Sequence, residues 1–155
     1  MRLALFQPDI PQNTGTLLRT AVCLGLAVDI IEPCGFVFSD KQLRRSGMDY
    51  LDQVDLVRHA SWQAFSGSEQ RRQGRLVLLS TKASTPYTDI TFLPSDTLMV
   101  GRESAGVPGE VYDAADLTIT IPMMTGVRSL NVAIAAAMVM GEALRQTAMV
   151  PSPRR

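Results

Sequence analysis

Ile121-Pro122-Met123-Met124-Thr125-Gly126-Val127-Arg128-Ser129-Leu130-Asn131-Val132 is the stretch on which the reading of this chain turns. Ahead of it, the β-branched run Leu117-Thr118-Ile119-Thr120-Ile121 predicts a strand that stops at Pro122. Behind it, Ser129 stands where a helix N-cap belongs, and 130–145 carries a helical pattern. The loop between them is apolar at Met123, Met124 and Val127, where most loops are polar. Such a loop suits a wall for a flat or apolar ligand. It also suits a buried corner whose methionines fill core.

Working outward, the same alternation recurs. Short apolar strands are predicted at 3–6, 28–31, 56–58, 76–79 and 98–100. Between them, Asn13 is placed to cap a helix that runs to about Leu24 and ends at Gly25. Ser61 opens a helix reaching Gly74, and 108–115 forms a short one. Ser39 caps a short basic helix over 40–46. Strands without a polar face, alternating with helices, specify an α/β fold: a parallel sheet covered by helices on both faces. The last helix is apolar nearly all round between Val132 and Met140. One face can pack on the sheet, and the other needs a deep core position or a second subunit.

A chain of 155 residues suits one domain, expected over 1–149 with a loose tail at 150–155. Apolar residues are 46% and charged residues 19%, a globular balance. Net charge is zero, so there is no bulk attraction to nucleic acid. Only Lys41 and Lys82 are lysines among 15 cations. The arginine bias suits phosphate recognition, and GC-rich coding produces the same bias. Cys23 and Cys34 have neither metal nor redox spacing, so a reduced cytoplasmic protein without a metal is expected. Pro8 interrupts the N-terminal apolar run too early for a signal peptide, and no run is long enough to span a membrane.

Two more strand-to-helix corners carry chemistry. Asn13-Thr14-Gly15-Thr16-Leu17-Leu18-Arg19-Thr20 follows a strand and opens a helix, where anions bind well. It matches neither the dinucleotide fingerprint nor a P-loop. Asn13 and Arg19 are about 240° apart around a helix, so they do not stack, though both can border one mouth. Leu98-Met99-Val100-Gly101-Arg102-Glu103-Ser104-Ala105-Gly106-Val107-Pro108 places two glycines and a carboxylate at a strand end. Gly101 and Gly106 permit close backbone approach to a ligand, and the stretch equally suits a charged turn.

Asn13-x-Gly15-x-x-x-Arg19, Gly101-x-Glu103-x-x-Gly106 and Ile121-Pro122-Met123 with Ser129-Leu130-Asn131-Val132, in this order, resemble the three motifs of the SPOUT RNA methyltransferases. The resemblance spans nearly the whole chain. It is closest to the small, single-domain TrmL branch. Pro8-x-Ile10-Pro11-x-Asn13-Thr14-Gly15, Ile31-Glu32-Pro33-x-Gly35-Phe36 and Asp40-Lys41-x-Leu43-Arg44-Arg45-x-Gly47-x-Asp49-Tyr50 carry that part. Val100, Ala133, Ile134 and Gly141 depart from the branch's usual residues.

The resemblance implies a C-terminal trefoil knot, which general topology rules would not suggest. It implies an obligate homodimer, consistent with the apolar last helix. It implies S-adenosyl-L-methionine as cofactor and S-adenosyl-L-homocysteine as product. The cofactor would bind at Leu79, Ser80, Thr81, Gly101, Glu103, Gly106, Ile121, Met123, Ser129 and Leu130. The reaction would be 2′-O-methylation of the wobble ribose (C or modified U) of tRNA, leucine tRNAs above all. Arg19, Glu103, Ser129 and Asn131 would be the catalytic group, with Glu103 orienting Arg19 or a partner. Asn13, Arg19, Lys41, Arg44, Arg45 and Tyr50 would meet the anticodon loop. Because guanidinium keeps its proton, Arg19 is expected to hold ribose and phosphate and to stabilise alkoxide charge, not to act as a base. His59, the one histidine, is expected to be structural.

Overall fold

A computed structural model describes residues 1–39, 41 and 53–152. Six strands are described: β1 (Arg2–Phe6), β2 (Ala27–Ile31), β3 (Leu56–His59), β4 (Leu76–Leu79), β5 (Thr97–Val100) and β6 (Leu117–Ile119). They form one sheet in the order β3-β2-β1-β5-β4-β6. Every pairing is parallel. The register sets Leu3 beside Val28 and Leu98.

The helices are α1 (Pro11–Leu24), α2 (Trp62–Ser66), α3 (Glu69–Arg72), α4 (Gly109–Asp113) and α5 (Val132–Thr147). On one face of the sheet, Leu17, Leu18 and Ala21 of α1 and Ala136, Val139 and Met140 of α5 cover Leu3, Leu5, Val28 and Leu98. On the other, Trp62, Phe65 and Val111 cover Ala4, Phe6, Leu78 and Met99. Alternate residues of β1 thus enter opposite cores, which is why the strand has no polar face. Phe65 is fully buried, with its ring 5.7 Å from Trp62 and 5.2 Å from His59.

Three helix boundaries differ from the sequence reading. Asn13 is not the cap of α1: Ile10 is, and Pro11 occupies the first helical position, where a missing N–H costs nothing. The predicted stop at Gly25 stands, with φ of 71°. The helix expected from Ser61 to Gly74 is two helices. Ser61 Oγ caps α2 by accepting from Ala64 N–H at 3.1 Å, and Ser68 Oγ caps α3 by accepting from Arg71 N–H at 3.2 Å. The second cap ends the first helix, because Ser68 Oγ also donates to Phe65 O at 2.6 Å. Finally, the cap of α5 is Asn131 and not Ser129. Its Oδ1 accepts from Ala133 N–H at 2.9 Å and Ile134 N–H at 3.3 Å.

β6 also ends two residues earlier than expected, leaving Ile121 buried but outside the strand. Thr120 instead turns to the segment after β4. Its N–H donates to Thr85 O at 2.8 Å and its carbonyl accepts from Tyr87 N–H at 2.9 Å. The chain then returns from the sheet edge, over the strand ends, to set α5 against α1 and β5.

His59 is structural, as expected. Its Nε2 lies 2.8 Å from Oδ1 of Asp29, a fully buried carboxylate. Arg2 Nε donates to the other oxygen of Asp29 at 2.6 Å. Among the described residues, no helix is long and apolar enough to cross a membrane.

Candidate active site

The strand order reverses direction around β1, and a cleft opens beyond the carboxyl ends of β4 and β5. This is where open α/β sheets hold ligands. The cavity is about 620 Å³. Three corners wall it: Leu79-Ser80-Thr81-Lys82 after β4, 100–107 after β5, and 120–132 between β6 and α5. Ile10 and Asn13 close it from the start of α1.

Gly101 has no room for a side chain: a Cβ there would lie 2.6 Å from the Gly106 carbonyl carbon. Gly106 takes φ of 65°, a conformation that side chains disfavour. Arg102 N–H donates to Gly106 O at 3.0 Å, and Gly106 N–H donates to Arg102 O at 2.9 Å. The two glycines therefore close a tight loop whose backbone faces the cleft.

Glu103 is anchored, and its partner is not Arg19. Its Oε2 accepts from Asp9 N–H at 3.2 Å, and its own N–H donates to Asp9 Oδ1 at 3.1 Å. Burial and the adjacent Asp9 carboxyl push the Glu103 pKa up. Asp9 is held down at about 2, chiefly by its side-chain contact with Glu103, with Ser104 assisting. Asn131 Nδ2 donates to Asn13 Oδ1 at 2.9 Å.

All ten residues expected at the cofactor line this one cleft: Leu79, Ser80, Thr81, Gly101, Glu103, Gly106, Ile121, Met123, Ser129 and Leu130. Asn13 and Asn131 join them, and Arg19 does not. Arg19 is exposed on α1, and its side chain has no hydrogen bond or ion pair among the described residues. Within one chain Asn13 borders the cleft and Arg19 does not: Asn13 is inside α1 instead of capping it, on a different side of the helix from Arg19. Lys41 is exposed. Arg44, Arg45, Tyr50 and most of the expected basic helix lie outside the described residues.

Lys82, Arg102 and Arg128, none of them among the residues expected at the cofactor or the RNA, also line the cleft. Among the described residues none of the three forms an ion pair. Arg102 sits over Phe6 with its guanidinium carbon 5.8 Å from the ring centroid. A strand-end cation with no carboxylate at helical or cross-strand spacing was the available signal. Also among the described residues, no group of three His, Cys, Asp or Glu side chains is placed to hold a metal ion.

Fold and cleft define an open parallel α/β protein with a candidate ligand cleft beyond the carboxyl ends of β4 and β5, beside the switch between β1 and β5. Residues 1–141 match the model of the SpoU rRNA Methylase family, and the chain belongs to that family. It is 62% identical over 144 residues to a tRNA (cytidine(34)-2′-O)-methyltransferase of Beijerinckia indica, covering 93% of this chain and 90% of that protein. A solved structure described as "Structural insights into the 2-OH methylation of C/U34 on tRNA" superposes with a TM-score of 0.85 at 41% identity, covering 94% and 89% of the two chains. The SpoU methyltransferase AviRb of Streptomyces viridochromogenes, solved with AdoMet, superposes with a TM-score of 0.81 at 28% identity, covering 94% of this chain and 60% of that one.

Proposed function

We propose that this protein is a tRNA 2′-O-methyltransferase that uses S-adenosyl-L-methionine to methylate the ribose of the wobble nucleotide, a cytidine or modified uridine, in leucine tRNAs. The observation that carries the reading is the convergence of two of the motifs, together with Asn13 of the third, on one cleft. The relative with 62% identity is named for the cytidine(34) reaction, which supports the same substrate.

The cleft residues fit the cofactor. Leu79, Ile121, Met123 and Leu130 offer apolar surface for an adenine. Ser80, Thr81, Gly101, Gly106 and Ser129 offer backbone and hydroxyl groups for its polar edges. Glu103 suits an amine or hydroxyl, and Lys82, Arg102 or Arg128 suits a carboxylate. When bound, the cofactor supplies an electrophilic methyl group on a sulfonium.

The chain's own part is alignment and charge. Both ends of the Asn131 amide are committed, to Asn13 and to α5, so it holds the corner rigid. The cations of the rim take RNA phosphates, which makes binding weaken with salt. The Arg19 guanidinium, a hydrogen-bond donor only, stabilises charge developing on the ribose oxygen. Since Arg19 lies outside its own chain's cleft, the RNA would reach it by lying across two subunits of a homodimer. Ile134 and Met138, exposed by 55% and 40% on α5, supply an apolar face for that dimer. The return of 120–131 past the segment after β4 supports a C-terminal trefoil knot. A tRNA substrate suits a cytoplasmic enzyme.

The test is methyl transfer from labelled S-adenosyl-L-methionine to native and unmodified tRNA, with nuclease mapping. Label at the wobble ribose of leucine tRNAs is the expected result. Label at another tRNA or rRNA ribose would keep the chemistry and discard the site, and bound cofactor without transfer to any RNA would point to a non-catalytic binder.

A further inference from the structure

We propose that Asp9 is the positioning residue of the cofactor loop: it clasps 101–106 to the β1–α1 junction and so sets the cleft's two sides in register. The proposal rests on the methyltransferase reading above. Asp9 does not line the cleft, but it touches the loop that does by three links. Its N–H donates to Glu103 Oε2 at 3.2 Å, its Oδ1 accepts from Glu103 N–H at 3.1 Å, and its Oδ2 accepts from Ser104 Oγ. The exchange is reciprocal, main chain to side chain in both directions, across 94 residues of sequence.

Asp9 is itself held in place. Gly35 N–H donates to Pro8 O at 2.9 Å, and a Cβ on Gly35 would lie 2.7 Å from Asp9 Cβ. Gln7 takes φ of 44°, and its Oε1 is buried without a hydrogen-bond partner among the described residues. This junction adopts a conformation that its local sequence disfavours, so tertiary contacts must hold it there. The clasp supplies such contacts and passes the same geometry to Glu103 and Ser104, which line the cleft. One residue on from Asp9, Ile10 lines the opposite wall, and Asn13 follows within the first turn of α1.

The chemistry of the links predicts which substitution is tolerated. In Asp9→Asn, the amide Oδ1 still accepts from Glu103 N–H, and Nδ2 can donate to Ser104 Oγ, whose hydroxyl rotates. In Asp9→Ala only the main-chain link to Glu103 Oε2 survives. The experiment compares wild type, D9N and D9A by cofactor calorimetry, tRNA affinity, and single-turnover methyl transfer, with thermal unfolding to verify folding.

The expected result is that D9A weakens cofactor binding about 10-fold and slows transfer at saturating tRNA by about 10-fold or more, with tRNA affinity within about 2-fold. D9N should stay within about 3-fold of wild type in all three. A general loss of structure would instead move tRNA affinity with the rate. Cofactor binding by D9A equal to wild type overturns the proposal, as does a D9N that fails as D9A does. If wild type methylates no RNA while cofactor binding is lost in D9A and kept in D9N, the clasp stands and the assigned reaction falls.

Discussion

Asn131 Nδ2 donates to Asn13 Oδ1 at 2.9 Å, joining the cap of α5 to the first turn of α1 across 118 residues. The same Asn131 uses Oδ1 to receive two N–H groups of α5. One side chain therefore starts a helix and fixes where that helix begins relative to another. Asn131→Ala should cost about 1–2 kcal/mol from lost capping, measured by denaturant unfolding. It should also reduce methyl transfer, whereas Asn13→Ala, which leaves the cap intact, should cost less stability. Equal stability losses in the two variants would mean that the cap is not the main term.

Asp29 is fully buried between Arg2 and His59. It ties three adjacent strands, β1, β2 and β3, through side chains as well as through their ladder. Removing it leaves Arg2 and His59 without their buried acceptor. Asp29→Ala is expected to destabilise the fold by about 3–5 kcal/mol. Chemical denaturation of the purified variant checks this, and a loss below about 1 kcal/mol, the range of an exposed pair, would show that the network carries little.

The Glu103 pKa is raised by burial and by Asp9. The folded state therefore holds the Glu103 proton more tightly than the unfolded state does, and this contribution to stability fades as pH rises through the raised value. Glu103→Gln has no proton to lose and can still accept from Asp9 N–H. Its stability relative to wild type should increase between pH 4 and 7. Asp9 acts in the opposite sense: held at about 2, it stabilises above the ordinary aspartate range, and that stability is lost as pH falls toward 2. Thermal melts of wild type and E103Q across pH separate the two, and parallel curves from pH 4 to 7 would contradict the assignment to Glu103.

Ile134 and Met138 are one helical turn apart, and Gly141 continues their exposed side of α5. A Cβ on Gly141 would meet nothing within 4 Å, so a partner could approach the helix closely there. Met138→Lys should convert a dimer to a monomer in sedimentation experiments while leaving the fold intact. It should lower methyl transfer more than cofactor binding, since RNA is proposed to lie across both subunits. A wild-type monomer at working concentration would remove the basis of this prediction.

Much of the architecture was legible along the chain. Apolar runs bounded by Gly and Pro located six strands to within a residue or two, because each strand must bury both faces. The three motif corners were legible too, since glycine and proline act over a few positions, and the ten cofactor residues that the family resemblance implied do meet in one cleft. What failed depended on partners far away in sequence. Ser129 and Asn131 are both competent caps, and contact with Asn13 accompanies the choice of Asn131. Glu103 was expected to orient Arg19 or a partner, and Asp9 is the acceptor and donor that the fold supplies. The sequence by itself determined which segments are strands and which residues turn the corners, because those are local consequences of side-chain shape and backbone freedom. Only the tertiary structure decided the order β3-β2-β1-β5-β4-β6 and the pairing of groups across the cleft, because hydrogen bonds spanning 94 and 118 residues leave no periodic trace in the chain.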